Sequence, residues 1–256
     1  MRIENSFIPA PGVGETTERR LWEAGVTHWD EFDRSLVGTT TAERIESWIA
    51  EADDRLVAGD ADYFDQVFPS QSRWRLYENF REGVCFLDIE TTGLDHDGDE
   101  VTVVSLTLDG ETTTLVQDQD LSAARLEEHL SDARLLATFN GKRFDVPFLE
   151  ASFDLTIDLP HLDLMYPCRR LDLTGGLKPI EQELGIGRDR PDLSGRDAVR
   201  LWHQYERGDT EALETLVSYN RDDTENLGIL ADEVVARLHD DLTADIETDL
   251  FPTPSL

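Results

Sequence analysis

Lysine is almost missing from this chain. Only Lys142 and Lys178 occur among 23 basic residues, and arginine supplies the rest. Cysteine is as scarce: Cys85 and Cys168 are too few for a disulfide framework or a thiolate metal site. Cys85 sits in an apolar run and reads as a small core residue. No apolar run approaches the roughly 20 residues of a membrane span. The opening MRIENSFIPAPGVG lacks the basic and apolar regions of a signal peptide. A cytoplasmic protein with no membrane partner is therefore expected. Repeats and low-complexity blocks are also lacking.

What is abundant is negative charge. The chain of 256 residues carries 55 acidic residues and a formal net charge of -32. The acids are spread along the sequence and do not form one tail, which would mark an interaction segment. Spread acidity with little lysine fits a halophilic surface held in molar salt, where the Debye length shrinks to about 3 Å and self-repulsion is screened. In such a medium an acidic protein is not barred from binding nucleic acid. Hydrophobic residues make up 39%, enough for a real core, and the length suits one large domain with an appendage.

Two regions differ in pattern. Residues 1–80 read as a helical N-terminal extension. ETTERRLWEAG stops at Gly25, and TTTAERIESWIAEADDRL places Ile45, Trp48, Ile49 and Leu56 on one stripe behind Thr40 or Thr41 as cap. ADYFDQVF and SRWRLYENFRE add aromatic helical segments. From Gly83 the periodicity changes. GVCFLDIE, TVVSLTL and TTTLVQ read as strands, the last two joined at Asp109-Gly110, a hairpin signal. AARLEEHL is an amphipathic helix, RLLATFN a fourth strand, FDVPFLEASF a short helix and HLDLM a fifth strand. LKPIEQEL, DAVRLWHQYERG and about 211–238 are helical. The order β-β-β-α-β-α-β-α predicts an α/β domain over 81–245, a mixed five-stranded sheet flanked by helices. Residues 246–256 form a tail, expected to fray around its two prolines.

The first strand poses a problem. VCFLDIETTGLD carries Asp88 and Glu90 within an apolar run, two residues apart and hence on one strand face. Adjacent buried anions repel; a shared proton or a divalent cation relieves them. A cation needs further carboxylates. TFNGKRFDVPFL offers Asp145 at a strand-to-helix junction. YNRDDTENL offers Tyr219 and Asp223, four apart on one helix face.

DIETTG, FNGKRFD and YNRDD together resemble the three motifs of the tyrosine-bearing branch of the DEDD exonuclease superfamily, on a ribonuclease-H-like fold. GGLKPIEQELGI resembles a helix that such exonucleases carry between the second and third motifs. PGVGETTERRLWEAGV points to the YprB-like group. The resemblance implies a 3'-5' exonuclease with two divalent ions, Mg2+ or Mn2+, about 4 Å apart at the scissile phosphate. Its substrate would be the 3' end of single-stranded DNA or RNA. Carried over, Asp88 bridges both ions, Glu90 and Asp223 complete the nucleophile-side ion, and Asp145 holds the other. Tyr219 positions the attacking water, since a phenol of pKa near ~10 is a poor base. Thr91, Thr92 and Gly93 approach the terminal nucleotide, with Gly93 permitting close contact. Asn140, Lys142 and Arg143 are further substrate-binding candidates.

Each motif alone has an ordinary explanation: a surface strand, a helix cap at Asp145, a solvated Tyr–Asp face. Their order and their placement at element ends carry the weight. Asp222 reads as solvent-facing beside Asp223. Asp163 is either a further ligand or a hydrogen-bonded strand end. His161 and His203 read as structural. Pro11-Gly12-Val13-Gly14 is either a plain turn or a phosphate-binding half of a helix-hairpin-helix. Arg19, Arg20, Lys142, Arg143, Arg169 and Arg170 are the expected positive spots. The alternatives are a structure-selective or hybrid-cleaving endonuclease on the same fold, and a non-catalytic nucleic-acid-binding module.

Overall fold

The computed structural model describes residues 1–246; beyond Ile246 the expected tail lies outside the described residues. Contacts divide the chain into two units, Met1–Arg81 with Val235–Leu256, and Glu82–Val234.

In the first unit, helices α1 (Glu15–Glu23), α2 (Thr39–Val57), α3 (Ala61–Val67) and α4 (Tyr77–Phe80) alternate with short 3-10 turns. Apolar side chains at helical spacing drive the packing: Leu21, Trp22, Ile45, Trp48 and Phe64 are all buried. Helix α2 begins at Thr39 with Gly38 as its cap, not at Thr40 or Thr41. Asp60 caps α3 by accepting from the Tyr63 N–H at 3.0 Å. SRWRLYENFRE starts in a 3-10 segment, Ser70–Leu76, and runs on into the short helix α4; Arg75 within it is buried. The Arg75 guanidinium donates to both Glu18 carboxylate oxygens at 2.9 Å and to Ser6 Oγ at 3.0 Å. Glu18 also accepts from the Phe7 and Ile8 N–H groups, at 2.7 and 3.1 Å.

The second unit is built on the expected five-stranded mixed sheet. The strands are β1 (Val84–Thr91), β2 (Val101–Leu108), β3 (Glu111–Val116), β4 (Leu135–Thr138) and β5 (His161–Asp163), in the order β3-β2-β1-β4-β5. The pairs β1–β2 and β2–β3 are antiparallel; β1–β4 and β4–β5 are parallel. Asp109 and Gly110 close the β2–β3 hairpin with φ of 51° and 80°, a double positive-φ turn matched to strand twist. Helices α5 (Ala123–Leu130) and α6 (Asp145–Phe153) cover one face. There Cys85, Leu87, Ile89, Val104, Leu106, Leu126, Leu130, Phe148 and Leu149 form one core. Burying each large side chain contributes about 1.5–3 kcal/mol. The other face packs Val103 and Val116 against helices α9 (Gly195–Tyr205) and α10 (Thr210–Thr243) through Leu201, Trp202, Leu216 and Tyr219. Between them come α7 (Met165–Arg170) and α8 (Leu177–Leu184).

Strand structure stops sooner at two places than the apolar runs suggest. HLDLM is a strand only to Asp163; the chain then turns directly into α7. Parallel pairing of β1 with β4 stops at Phe86↔Ala137, so the last residues of β1 have no strand on that side. Among the described residues, no helix is long and apolar enough to cross a membrane.

Candidate metal centre

Period-2 alternation decides which β1 side chains meet the site. Cys85, Leu87 and Ile89 enter the core beneath α5 and α6, so Asp88 and Glu90 point to the opposite face. Helix α10 lies over that face. A Cβ on Gly228 would meet the Phe86 ring at 3.5 Å, so the helix runs close to the strand. One helical turn and more toward its start, Tyr219 and Asp223 come down over the acidic pair. One carboxylate oxygen each from Asp88, Glu90 and Asp223 lies within 4.8 Å of the others. Glu90, Asp223 and Tyr219 are buried, and Asp88 is half-buried.

Asp145 is not in this set of three. It opens α6, is buried, and its charge raises the pKa of both Asp88 and Glu90. The Ile89 backbone N–H, with no β4 partner, hydrogen-bonds the Asp145 carboxylate.

The site strains against its own charge. Desolvation, then Asp223 and Asp145, push Asp88 well above the usual carboxylate range, and the same causes push up Glu90. Asp145 is raised to about 7, mainly by burial, and Asp223 to about 6, also mainly by burial. The Tyr219 phenol is pushed well up by burial and by the neighbouring carboxylates, and it hydrogen-bonds Asp223. It is therefore a hydrogen-bond donor and not a base. The donor set consists of oxygens alone, crowded and desolvated. That is the chemistry a hard divalent cation relieves, and the residues fit such an ion.

Several residues at the site are not among the sequence candidates. Asn220 is fully buried, and its Nδ2 donates to Asp88 Oδ2 at 2.8 Å, fixing that carboxylate. Arg188, in the loop after α8, ion-pairs with both Glu181 and Asp223. Lys178 Nζ lies 5.1 Å from the Tyr219 ring centroid, buried and without a hydrogen-bond partner. Lys178 and Arg188 both lower the Glu90 pKa, against the larger upward push. The scarcity of lysine is the one clue to Lys178; Asn220 sits on the buried stripe of α10, four residues after Leu216 and three before Asp223, while Arg188 lies in a loop outside any periodic pattern.

The remaining candidates occupy the surrounding turns and strand ends. Thr91 Oγ1 donates to the Gly93 carbonyl at 2.5 Å, and the Thr92 N–H donates to the Glu100 carbonyl at 2.9 Å. A Cβ added at Gly93 would lie 2.2 Å from Asp99 Oδ2, so the Asp99 carboxylate packs against that side of the turn. Asp163 is the hydrogen-bonded strand end: it accepts from the Asn140, Lys142 and Met165 N–H groups at 2.7, 3.2 and 3.2 Å. Asn140 adopts φ 67° in this loop. Lys142 and Arg143 are exposed, three and two residues before Asp145. Asp222 does not simply face solvent; it accepts from the Asp189 N–H at 3.0 Å. His161 Nε2 lies 2.8 Å from Thr138 Oγ1, and burial lowers its pKa to about 3, a neutral structural histidine. His203 pairs with Glu206 on the exposed side of α9. Gly14 caps α1 without a side-chain bond, and Glu15 and Glu18 fill that first turn.

Similarity to known proteins can be set beside this geometry. A nuclease in its apo form is 24% identical, over 62% of this chain and 75% of that one, with a TM-score of 0.46. The family B DNA polymerase of the hyperthermophilic archaeon Pyrobaculum calidifontis is 16% identical over 60% of this chain, with a TM-score of 0.44; the match spans only 27% of the polymerase. Brucella melitensis NrnC bound to pGG is 20% identical over 69% of this chain and 93% of that one, with a TM-score of 0.35. No curated protein matches. A family model described as the RNase_H superfamily matches residues 85–235, more than half of the chain, and the chain belongs to that superfamily.

Proposed function

We propose that the protein is a metal-dependent 3'-5' exonuclease acting on single-stranded DNA or RNA. The observation that carries this reading is the convergence of Asp88, Glu90 and Asp223 oxygens within 4.8 Å, with Tyr219 hydrogen-bonded to Asp223. Asp88, Glu90 and Asp223 would hold a divalent ion, and Asp145 would share a second with Asp88. Bound there, Mg2+ or Mn2+ supplies a lowered pKa for the attacking water and charge stabilisation for the leaving 3'-oxygen.

The remaining work falls to the chain's own groups. Asn220 holds the Asp88 carboxylate in one orientation. With its O–H given to Asp223, Tyr219 would align the water by accepting a hydrogen bond from it at the phenol oxygen, without taking the proton. Burial of Glu90 and Asp223 keeps bulk water from solvating the ligands. Lys142 and Arg143, beside Asp145, supply positive charge for the substrate backbone. The protein would work in a salt-rich cytoplasm, a setting supported by its -32 charge and two lysines.

The test is hydrolysis of matched 5'-labelled single-stranded DNA and RNA, with Mg2+ or Mn2+, in molar KCl. A ladder of products shortened from the 3' end is expected. A single internal cut would replace the reading by an endonuclease. No cleavage of any strand, with folded protein, would leave a non-catalytic binding module.

A further inference from the structure

We propose that Tyr166, Arg169 and Arg170 on α7, with Lys142 and Arg143 on the adjoining loop, form a track that grips single-stranded nucleic acid on its way to Asp145. The proposal rests on the nuclease reading for the direction of the strand. Three observations lead to it.

The first is the exposed face of α7. Tyr166, Arg169 and Arg170 stand at i, i+3 and i+4, so they share one side of the helix. All three are exposed, and Tyr166 keeps 43% of its surface open. Met165, Pro167 and Cys168 take the buried side. Among the described residues Tyr166 is thus one of few large hydrophobic side chains left in solvent, and two arginines follow it on the same face.

The second is the junction with the loop. The Asp163 carboxylate receives the backbone N–H groups of Asn140 and Lys142 from one side and of Met165 from the other. The Leu164 N–H adds a bond to the Thr138 carbonyl at 2.8 Å. One buried side chain therefore joins the start of α7 to the loop carrying Lys142 and Arg143. Asp145 follows Arg143 by two residues.

The third is charge. In a chain with 55 acids, α7 contains none, and one of the only two lysines sits beside it. Two arginines and a tyrosine on α7, and a lysine and an arginine on the loop leading to Asp145, thus meet at one junction through Asp163. At molar salt the Debye length is only about 3 Å, so distant steering fails and a polyanion must be held by direct contacts. Arginine forks suit phosphate oxygens, and an exposed tyrosine offers a stacking platform for any base. The alternation of cation and ring matches the alternation of phosphate and base in an unpaired strand.

The test is fluorescence anisotropy of a labelled single strand of about twelve nucleotides, within the footprint such surfaces cover. It is run in Mg2+ across a KCl series, with Asp88→Asn in every protein so that no strand is consumed. Arg169→Gln/Arg170→Gln should weaken binding by roughly tenfold or more and flatten the log–log salt slope by about 1.4, at ~0.7 per lost phosphate contact. Tyr166→Ala should weaken binding by roughly five- to a hundredfold, and Tyr166→Trp should restore it. Arg196→Gln on α9 is the control and should bind like the parent. If the α7 variants bind like the parent, or the parent binds no strand, the track is refuted. Tight binding lost in the α7 variants, together with no cleavage by the protein carrying Asp88, would sink the exonuclease reading and leave the track standing.

Discussion

Both units bury carboxylates, and they treat them in opposite ways. In the first, Glu18 is matched group by group: Arg75 meets both oxygens and two backbone N–H groups complete the cage, while Ser6 Oγ accepts from Arg75. In the second, Asp88, Glu90, Asp145 and Asp223 crowd together, with Arg188 and Lys178 as partial counter-charges. The first arrangement is finished without any further species. The second is electrostatically incomplete: burial first, then mutual repulsion, raises the pKa values of its carboxylates. A buried charge that is satisfied contributes to folding specificity; a buried cluster that is unsatisfied points to a missing ligand.

The contrast can be broken most forcefully at Asp88. Asp88→Asn should cut hydrolysis by roughly a thousandfold while thermal unfolding shows an unchanged or raised Tm, because a repulsive charge has gone. A fall in Tm matching the loss of activity would mean that Asp88 is structural. Glu18→Gln should do the reverse. Stranding the Arg75 charge should cost about 3–5 kcal/mol in denaturant unfolding, with kcat per folded molecule unchanged. Asn220→Ala sharpens the comparison within the site itself. Freeing the Asp88 carboxylate should weaken Mg2+ affinity or activity by roughly 10–100-fold, read by calorimetric titration and by initial rates.

The smallest effect is on pH. Asp145 and Asp223 have folded pKa values raised to about 7 and about 6. Their protonated forms are favoured in the folded state, so metal-free protein loses stability as pH rises from about 4 through about 7. Mg2+ binding, which needs the ionised forms, should strengthen over the upper part of that window. Asp145→Asn should flatten the stability profile. Equal slopes in the parent and in Asp145→Asn would contradict the proposed origin.

Much of this was legible in the sequence because periodicity encodes it. Alternation in VCFLDIE put Asp88 and Glu90 on one face, and four-residue spacing put Tyr219 and Asp223 on one side of α10. The five strands followed from apolar runs and the Asp109-Gly110 turn. What escaped lies in segments without a period. Arg188 reaches Asp223 from a loop, and Asp99 fills the space beside Gly93 through loop folding. Helix α7 was hidden because Leu164-Met165 continues the apolar look of a strand, while Asp163 ends it by turning its carboxylate onto the next backbone amides.

The early end of β1–β4 pairing has a last consequence. Where a neighbouring strand would have offered a carbonyl, the Ile89 amide leans on a side chain whose protonation can change. Secondary structure at that edge is thereby wired to the state of the acidic cluster. Deuterium uptake at the Ile89 amide should therefore change with the protonation of Asp145.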